Sequence, residues 1–89
     1  MTFEYDPKKS EANKAKHGID FEEAKALWDD PNLLVVDSQR SSENRKMGVA
    51  QLSNKFWSAI FTMRGENVRL ISVRRARDEE VKRYSDNLS

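Results

Sequence analysis

The 89-residue sequence has no cysteine and only one histidine. The lack of cysteine excludes a disulfide framework and a thiolate metal site, and one histidine excludes a histidine cluster. No apolar run approaches the roughly 20 residues of a membrane-spanning helix, and the acidic start is unlike a signal peptide. We therefore expect a soluble, cytoplasmic protein with no membrane contact, no bound metal and no cofactor.

Length and composition limit the size of the core. Hydrophobic residues make up 37% of the chain and charged residues 35%. A chain of this size buries roughly 60–70% of its unfolded surface, enough for one modest core. We expect a single domain over residues 1–89.

Helix start and stop signals are concentrated near the N-terminus. Asp6 suits an N-cap and Pro7 the first helical position, whereas Gly18 suits the left-handed conformation that ends a helix. Asp20 would cap a second helix, and Glu23, three residues on, would complete a capping box. The pattern predicts two helices joined by a turn at Gly18.

The second helix carries a single apolar stripe. The surface that this stripe covers must come from the rest of the chain. Short alternating or apolar runs separated by hairpin-length turns predict an antiparallel meander, and a thin apolar stripe predicts a last helix. The expected fold class is α+β, with a small antiparallel sheet, the helical hairpin packed on one face, and a C-terminal helix. The predicted strands are 1–5, 33–36, 45–53, 56–63 and 68–75, the last helix is 76–88, and the stripe consists of Phe21, Ala24, Leu27 and Trp28.

Charge is segregated along the chain. Residues 1–38 hold five Lys/Arg and nine Asp/Glu, a net charge of −4, whereas residues 39–89 hold eleven and six, a net charge of +5. The first arginine is Arg40, and the guanidinium group matches phosphate bidentately. The segregation indicates a surface for a polyanion, although a solvated surface with mutually attracting charges explains the same numbers and is favoured by charge alone.

Two sets of residues in the first half of the chain could take part in catalysis: His17, and the pair of Glu43 and Arg45. His17 is the one side chain with an ordinary pKa near neutrality, which suits proton transfer, but a histidine in the last helical turn also serves as a C-terminal cap. Glu43 and Arg45 are two apart at the start of a strand, beside a long polar loop, so they share a face. The alternative for this pair is a surface ion pair.

Arginines crowd the end of the last strand. Arg74, Arg75 and Arg77 lie where the following helix N-terminus favours anions, so phosphate could bind there; the alternative is neutralisation by the acidic residues 78–80. Strict alternation in this strand places Arg74 on the face opposite Arg69.

The chain has no serine or cysteine nucleophile motif, P-loop or dinucleotide fingerprint. Metal-free cleavage of RNA needs a base for the 2′-hydroxyl, an acid for the leaving oxygen and cations around the phosphorane. Arginines can supply the cations. Glu43 or His17 could be base or acid, and Tyr84 could assist.

Several motifs together resemble the BrnT family of toxins. They are Tyr5 to Lys8, Asn13, Lys16 to Ile19 with Phe21 and Glu23-Ala24, Glu43-x-Arg45 with Gly48, Arg69 to Ala76, Glu80 and Tyr84. The resemblance implies a RelE-like fold and a ribonuclease toxin of a type II toxin–antitoxin pair, which inhibits translation as part of a stress response. It also implies a BrnA-like ribbon-helix-helix antitoxin, through which operator DNA is bound.

The resemblance also implies site residues. Arg45 and Arg74 would stabilise phosphate and transition-state charge, and Glu43 would be the better base. Here Trp28 replaces a common phenylalanine, Val73 an alanine, and residues 78–80 are acidic. The full predicted catalytic set is His17, Glu43, Arg45, Arg74, Glu80 and Tyr84, and the predicted RNA-binding set is Arg40, Arg69, Arg75 and Arg77.

Three classes of function remain open from the sequence. The first is an RNA-cleaving toxin silenced by its antitoxin. The second is a module that binds RNA or the ribosome without cutting, or that acts as a co-repressor through its antitoxin. The third is a structural interaction domain, which would have no salt-sensitive affinity for RNA.

Overall fold

A computed structural model describes residues 1–38 and 44–88 of the chain. The fold is α+β, with a five-stranded mixed sheet and three helices. In the described residues, no helix is long and apolar enough to cross a membrane. The elements are β1 (Thr2–Glu4), α1 (Pro7–His17), α2 (Phe21–Ala24), a 3₁₀ segment (Lys25–Asp29), β2 (Leu34–Asp37), β3 (Arg45–Leu52), β4 (Lys55–Arg64), β5 (Asn67–Arg75) and α3 (Asp78–Asp86).

Both predicted ends of the first helix and the predicted start of the second are confirmed. The Asp6 side chain accepts a hydrogen bond from the Lys8 N–H at 2.9 Å, and Gly18 ends α1 with φ of 81°. Asp20 and Glu23 form both bonds of the capping box. The second helix is shorter than predicted, because its α-helical part ends at Ala24 and the chain continues as a 3₁₀ segment.

The strands follow the order β1-β5-β4-β3-β2, and all neighbours are antiparallel except β1 and β5, which are parallel. The prediction of a wholly antiparallel sheet was therefore wrong for β1. Hairpins force β3, β4 and β5 to alternate in direction. No hairpin joins β1 to β5, because most of the chain lies between them, so their relative direction depends on tertiary packing.

Alternation along β4 divides the sheet into two faces. Trp57, Ala59 and Phe61 point to what we call the core face, where they form one buried cluster with apolar residues of α2 and the 3₁₀ segment. Ser58 and its alternate neighbours point to the other face, which we call the cleft face. The helix α3 packs on the cleft face, where Glu80 bonds to Ser58.

A bulge in β5 changes which of its residues share a face. Ile60 of β4 pairs with Ser72, but the next residue, Phe61, pairs with Leu70, so Ile71 is an extra residue in β5. Such an insertion shifts the alternation by one position. Val73 consequently joins the core, and Arg69 and Arg74 lie on the same face. The predicted opposition of these two arginines was wrong, because one residue of slippage reverses every side chain beyond it.

Asn13 closes the edge of β5 beyond the end of β1. Its amide donates to the carbonyls of Val73 at 2.8 Å and Ile19 at 2.7 Å, and its carbonyl accepts from the Val73 N–H at 3.1 Å. The side chain is buried, with 7% of its surface exposed. The Asn13 side chain thus takes the place of a neighbouring strand at Val73, because it bonds to both the N–H and the carbonyl of that residue.

We expect Asn13→Ala to lower the free energy of unfolding by about 2 kcal/mol, because it leaves three buried backbone groups without partners. Urea denaturation measures the effect. Asn87→Ala, at the exposed end of α3, should change stability by less than about 0.5 kcal/mol. Equal effects of the two substitutions would contradict the edge-closing role.

Candidate active site

Arg74 and Glu80 form an ion pair on the cleft face. Arg74 donates from Nη1 to Glu80 Oε1 and from Nη2 to Oε2, both at 2.8 Å. The side chain of Arg74 is 22% exposed and that of Glu80 is 8% exposed. Glu80 also accepts from the Ser58 hydroxyl at 2.8 Å and from the Arg77 N–H at 2.9 Å.

These bonds determine the charge state of Glu80. The guanidinium of Arg74 lowers the pKa of the Glu80 carboxyl to about 2; burial opposes this shift, and the Arg77 N–H and Ser58 hydroxyl add to it. In turn, the bond to Glu80 raises the pKa of Arg74. Glu80 is therefore an anion that neutralises Arg74, as the alternative interpretation of the arginine cluster predicted for the acidic residues 78–80.

Arg74 keeps part of its hydrogen-bonding capacity. A guanidinium has five N–H donors. Within the described residues, Arg74 uses two on Glu80 and one on the carbonyl of Arg75 at 3.1 Å. Two donors are left over, held in a fixed orientation by the carboxylate.

Arg45 lies on the same face as Arg74. It pairs with Thr62 across the β3–β4 ladder, and Arg74 pairs with Ser58, four residues from Thr62 along β4. Residues an even number apart on a strand share a face. From strand rise and spacing, the two Cα atoms are roughly 16 Å apart. The Arg45 side chain is exposed and makes no hydrogen bond or ion pair with another described residue.

A cleft of about 520 Å³ lies between the cleft face and α3. Its floor is apolar and comes from three neighbouring strands, whereas its walls carry charges of both signs from the end of β5 and from α3. Arg45 is not a lining residue, but its carbonyl accepts from the N–H of Ser38, which is one, at 3.0 Å. The floor is Val36, Met47 and Ile60, and the walls include Arg74, Arg77, Glu79, Glu80, Lys82 and Arg83.

Tyr84 is held one turn after Glu80 on α3. Its hydroxyl donates to Asp30 Oδ2 at 2.7 Å, and its ring meets Phe56 edge-on at 5.3 Å between centroids. Burial and the bond to Asp30 raise the pKa of Tyr84. Asp30 also accepts from the Gln51 N–H at 2.9 Å. The tyrosine thereby connects α3 to the loop before β2 and to β3.

We expect Tyr84→Phe to lower the free energy of unfolding by about 1 kcal/mol, because it removes one hydrogen bond to a carboxylate that is only partly exposed. Thermal unfolding followed by circular dichroism measures the change. Tyr5→Phe is the matched control, since its hydroxyl donates to Glu22 at the same 2.7 Å but in an exposed position. A loss as large for Tyr5→Phe as for Tyr84→Phe would show that burial of the bond is unimportant.

The other predicted residues are more scattered. His17 is the last residue of α1, and the adjacent Gly18 lines a depression with Trp57 of the core face. The residues that line the cleft include none from α1. The structure thus brings Arg74, Glu80 and Arg77 together. Arg45 lies on the same face but roughly 16 Å from Arg74 between Cα atoms, and His17 lies apart from the cleft.

The predicted RNA-binding arginines differ in their surroundings. Arg69 lies on the cleft face, half-exposed, and bonds to Glu4 at 3.3 Å. Arg75 lies over the ring of Trp57 at 5.5 Å from its centroid, so it belongs to the core face. Arg77 lines the cleft. Arg40 and Glu43 lie outside the described residues.

Sequence reasoning missed several parts of this site. Ser58 is fully buried and orients Glu80; a serine in an otherwise apolar strand was the available signal. Lys82 and Arg83 enter the cleft wall only because α3 turns them toward β2 and β3. Among residues 1–38 and 44–88, no three histidine, aspartate or glutamate side chains form a group that could hold a metal ion.

Comparison with known families identifies one match. The family model described as "Ribonuclease toxin, BrnT, of type II toxin-antitoxin system" matches residues 5–80, which includes most of the fold and the whole Arg74–Glu80 pair. The comparison with curated proteins found no match.

Proposed function

Because the chain belongs to the BrnT family of ribonuclease toxins of type II toxin–antitoxin systems, we propose that it is a metal-independent endoribonuclease of the cytoplasm. In this proposal it inhibits translation under stress and is neutralised by a BrnA-like ribbon-helix-helix antitoxin that binds operator DNA. One observation carries the catalytic part: Arg45 and Arg74 share a face of the sheet, and the strand register places them on either side of the row of Met47 and Ile60.

The proposal extends to the fold. We assign the chain to a RelE-like arrangement in one domain over residues 1–89. Support comes from the single buried cluster, in which Phe21, Ala24 and Leu27 from the helical segments contact the core face of the sheet.

The chemistry needs four functions. A base takes the proton of the 2′-hydroxyl, the oxygen attacks phosphorus, the 5′-oxygen leaves with a proton from an acid, and cations stabilise the charge on the phosphorane. Arg45 and the two remaining donors of Arg74 supply the cations. Glu43, which precedes Arg45 by two residues, is the proposed base, and His17 remains the other candidate for proton transfer.

Glu80 and Tyr84 have supporting roles in this scheme. Glu80 is held as an anion by four hydrogen bonds, so it acts by fixing the orientation of Arg74. Tyr84 holds α3 against the sheet through Asp30. Arg69 and Arg77 extend the basic surface to either side, and the proposed RNA-binding set also keeps Arg40 and Arg75.

The neutralisation of Arg74 by Glu80 favours a second candidate function. A toxin-like module that binds RNA or the ribosome without cutting, or that acts as a co-repressor through its antitoxin, needs no cationic transition-state contact. Its basic surface alone would give salt-sensitive binding.

Incubation of the purified protein with RNA in EDTA distinguishes the two functions. We expect cleavage that EDTA does not remove. RNA retained by the protein but left uncut would favour the binding module, and cleavage abolished by EDTA would contradict metal independence.

A further inference from the structure

The cleft has a floor that the proposed chemistry does not use. Three side chains from adjacent strands form it: Val36 of β2, Met47 of β3 and Ile60 of β4. All three remain partly exposed. A row of apolar side chains left open to solvent on a charged surface marks a place where an apolar surface can bind.

The register places this floor between the two arginines. Across the sheet, Arg45 pairs with Thr62, Met47 with Ile60, and Val49 with Ser58, which in turn pairs with Arg74. On the cleft face the row of Met47 and Ile60 therefore comes directly after the row of Arg45 and directly before the row of Arg74.

Resting on the proposed function, we infer that this floor is a nucleobase subsite: it binds one base of single-stranded RNA while Arg45 and Arg74 contact the phosphates on either side. The volume of about 520 Å³ is within the usual range for small-molecule sites, roughly 300–1,000 Å³. Single-stranded RNA exposes its bases, and proteins bind them by stacking on aromatic rings or guanidinium planes or between apolar side chains.

The walls carry equal numbers of cationic and anionic side chains, so contacts with phosphate would come from individual arginines and not from a net positive cleft. The cations are Arg74, Arg77, Lys82 and Arg83, and the carboxylates are Asp37, Glu79, Glu80 and Asp86. The separation of roughly 16 Å between the Cα atoms of Arg45 and Arg74 leaves room for a nucleoside between the two guanidinium groups. An RNA segment has a base between two phosphates, and this order matches the apolar floor between the two guanidinium groups.

The test compares short single-stranded oligoribonucleotides that are intact or carry one abasic ribose beside the cleaved bond. For the wild-type protein, we expect loss of one particular base to lower kcat/KM by about tenfold, within the range of 1–3 kcal/mol measured for single bases on aromatic surfaces. For Met47→Ala and Val36→Ala, the same loss should matter less than about twofold, because the floor is already damaged.

Two control variants use the opposite face of the same sheet. Met63→Ala and Val35→Ala remove side chains of the same types that are 40% and 44% exposed and that lie outside the cleft. Both should keep the tenfold discrimination. Circular dichroism confirms that each variant is folded, and the use of two floor variants protects the test against one that is not.

Outcomes separate the subsite from the catalytic proposal. Equal cleavage of intact and abasic RNA by the wild-type protein, or equal discrimination by floor and control variants, would overturn the subsite. If no RNA is cut, fluorescence anisotropy with the same oligonucleotides decides it: base-dependent binding lost in Met47→Ala supports the subsite although the nuclease proposal fails. Floor variants that lose antitoxin binding but keep base discrimination would assign the floor to a peptide and overturn the inference.

Discussion

Glu80→Ala is expected to lower the free energy of unfolding by about 3 kcal/mol. Breaking a buried ion pair costs roughly 3–5 kcal/mol. The lower end applies because 22% of the Arg74 side-chain surface is exposed to water. The substitution also leaves the fully buried Ser58 hydroxyl without its acceptor. Chemical denaturation in urea measures the change.

The neighbouring Glu79 provides the control for this substitution. It is exposed in the first turn of the same helix, so Glu79→Ala removes the same charge and the same favourable position near the helix N-terminus. A negative charge near a helix N-terminus stabilises the fold by about 0.3–1 kcal/mol. A loss for Glu80→Ala no larger than that for Glu79→Ala would show that the pair contributes nothing to stability.

The pH dependence follows from the low pKa of Glu80. Its folded value of about 2 lies below the ordinary 4.5, so the unfolded chain takes up the proton first as pH falls. The stabilisation is complete above about pH 5 and is lost as pH falls toward 2, by about 2 kcal/mol between pH 6 and pH 3. The stability difference between wild type and Glu80→Gln should shrink over this interval; a constant difference would contradict the assignment.

Arg45→Ala is expected to lower kcat/KM for RNA cleavage by about 10²–10³-fold, the usual effect of removing one hydrogen-bond donor that stabilises a transition state. Arg45 is the cleaner choice for this test, because it bonds to no other described side chain and its removal should leave the unfolding temperature unchanged. Arg74→Ala would also leave the Glu80 carboxylate unpaired and so confuse activity with stability.

Matched variants sharpen the test of Arg45. Lys46→Ala removes the same charge from the next residue, which pairs with Phe61 and so points to the core face; its rate should stay within about threefold of wild type. Arg45→Lys keeps the charge without the bidentate geometry and should recover only part of the rate. Unchanged cleavage by Arg45→Ala would remove this residue from the mechanism.

Local signals predicted both ends of α1 and the start of α2 correctly because capping is a contact between near neighbours. Asp6 bonds two residues away and Asp20 bonds three residues away, so the sequence contains both partners at a known spacing. The last helix was predicted less accurately. It was predicted over residues 76–88 but spans Asp78–Asp86, so Leu88 lies beyond it and is 53% exposed, whereas Glu80 is buried. The apolar pattern gave no sign of this burial, because a carboxylate can be buried when an arginine pairs with it.

Features that depend on contacts between distant segments could not be predicted from the local sequence pattern. The extra residue in β5 is visible only in its pairing with β4, and strict alternation in the sequence gives no sign of it. The same bulge decides that Arg69 and Arg74 share a face. Pairing of Arg74 with Glu80 was one of two open interpretations, since the spacing of six residues permits it and does not require it.

By itself, the sequence determined the family, the α+β class, the helix caps and the residue types available for chemistry, because each depends on composition or on contacts within a few residues. Only the tertiary structure decided that β1 runs parallel to β5, that Arg45 and Arg74 lie on the same side of the sheet, and that an apolar floor lies between them. The physical reason is strand register: moving one strand by a single residue would turn its side chains to the other face, and register is set by packing between segments far apart in the chain.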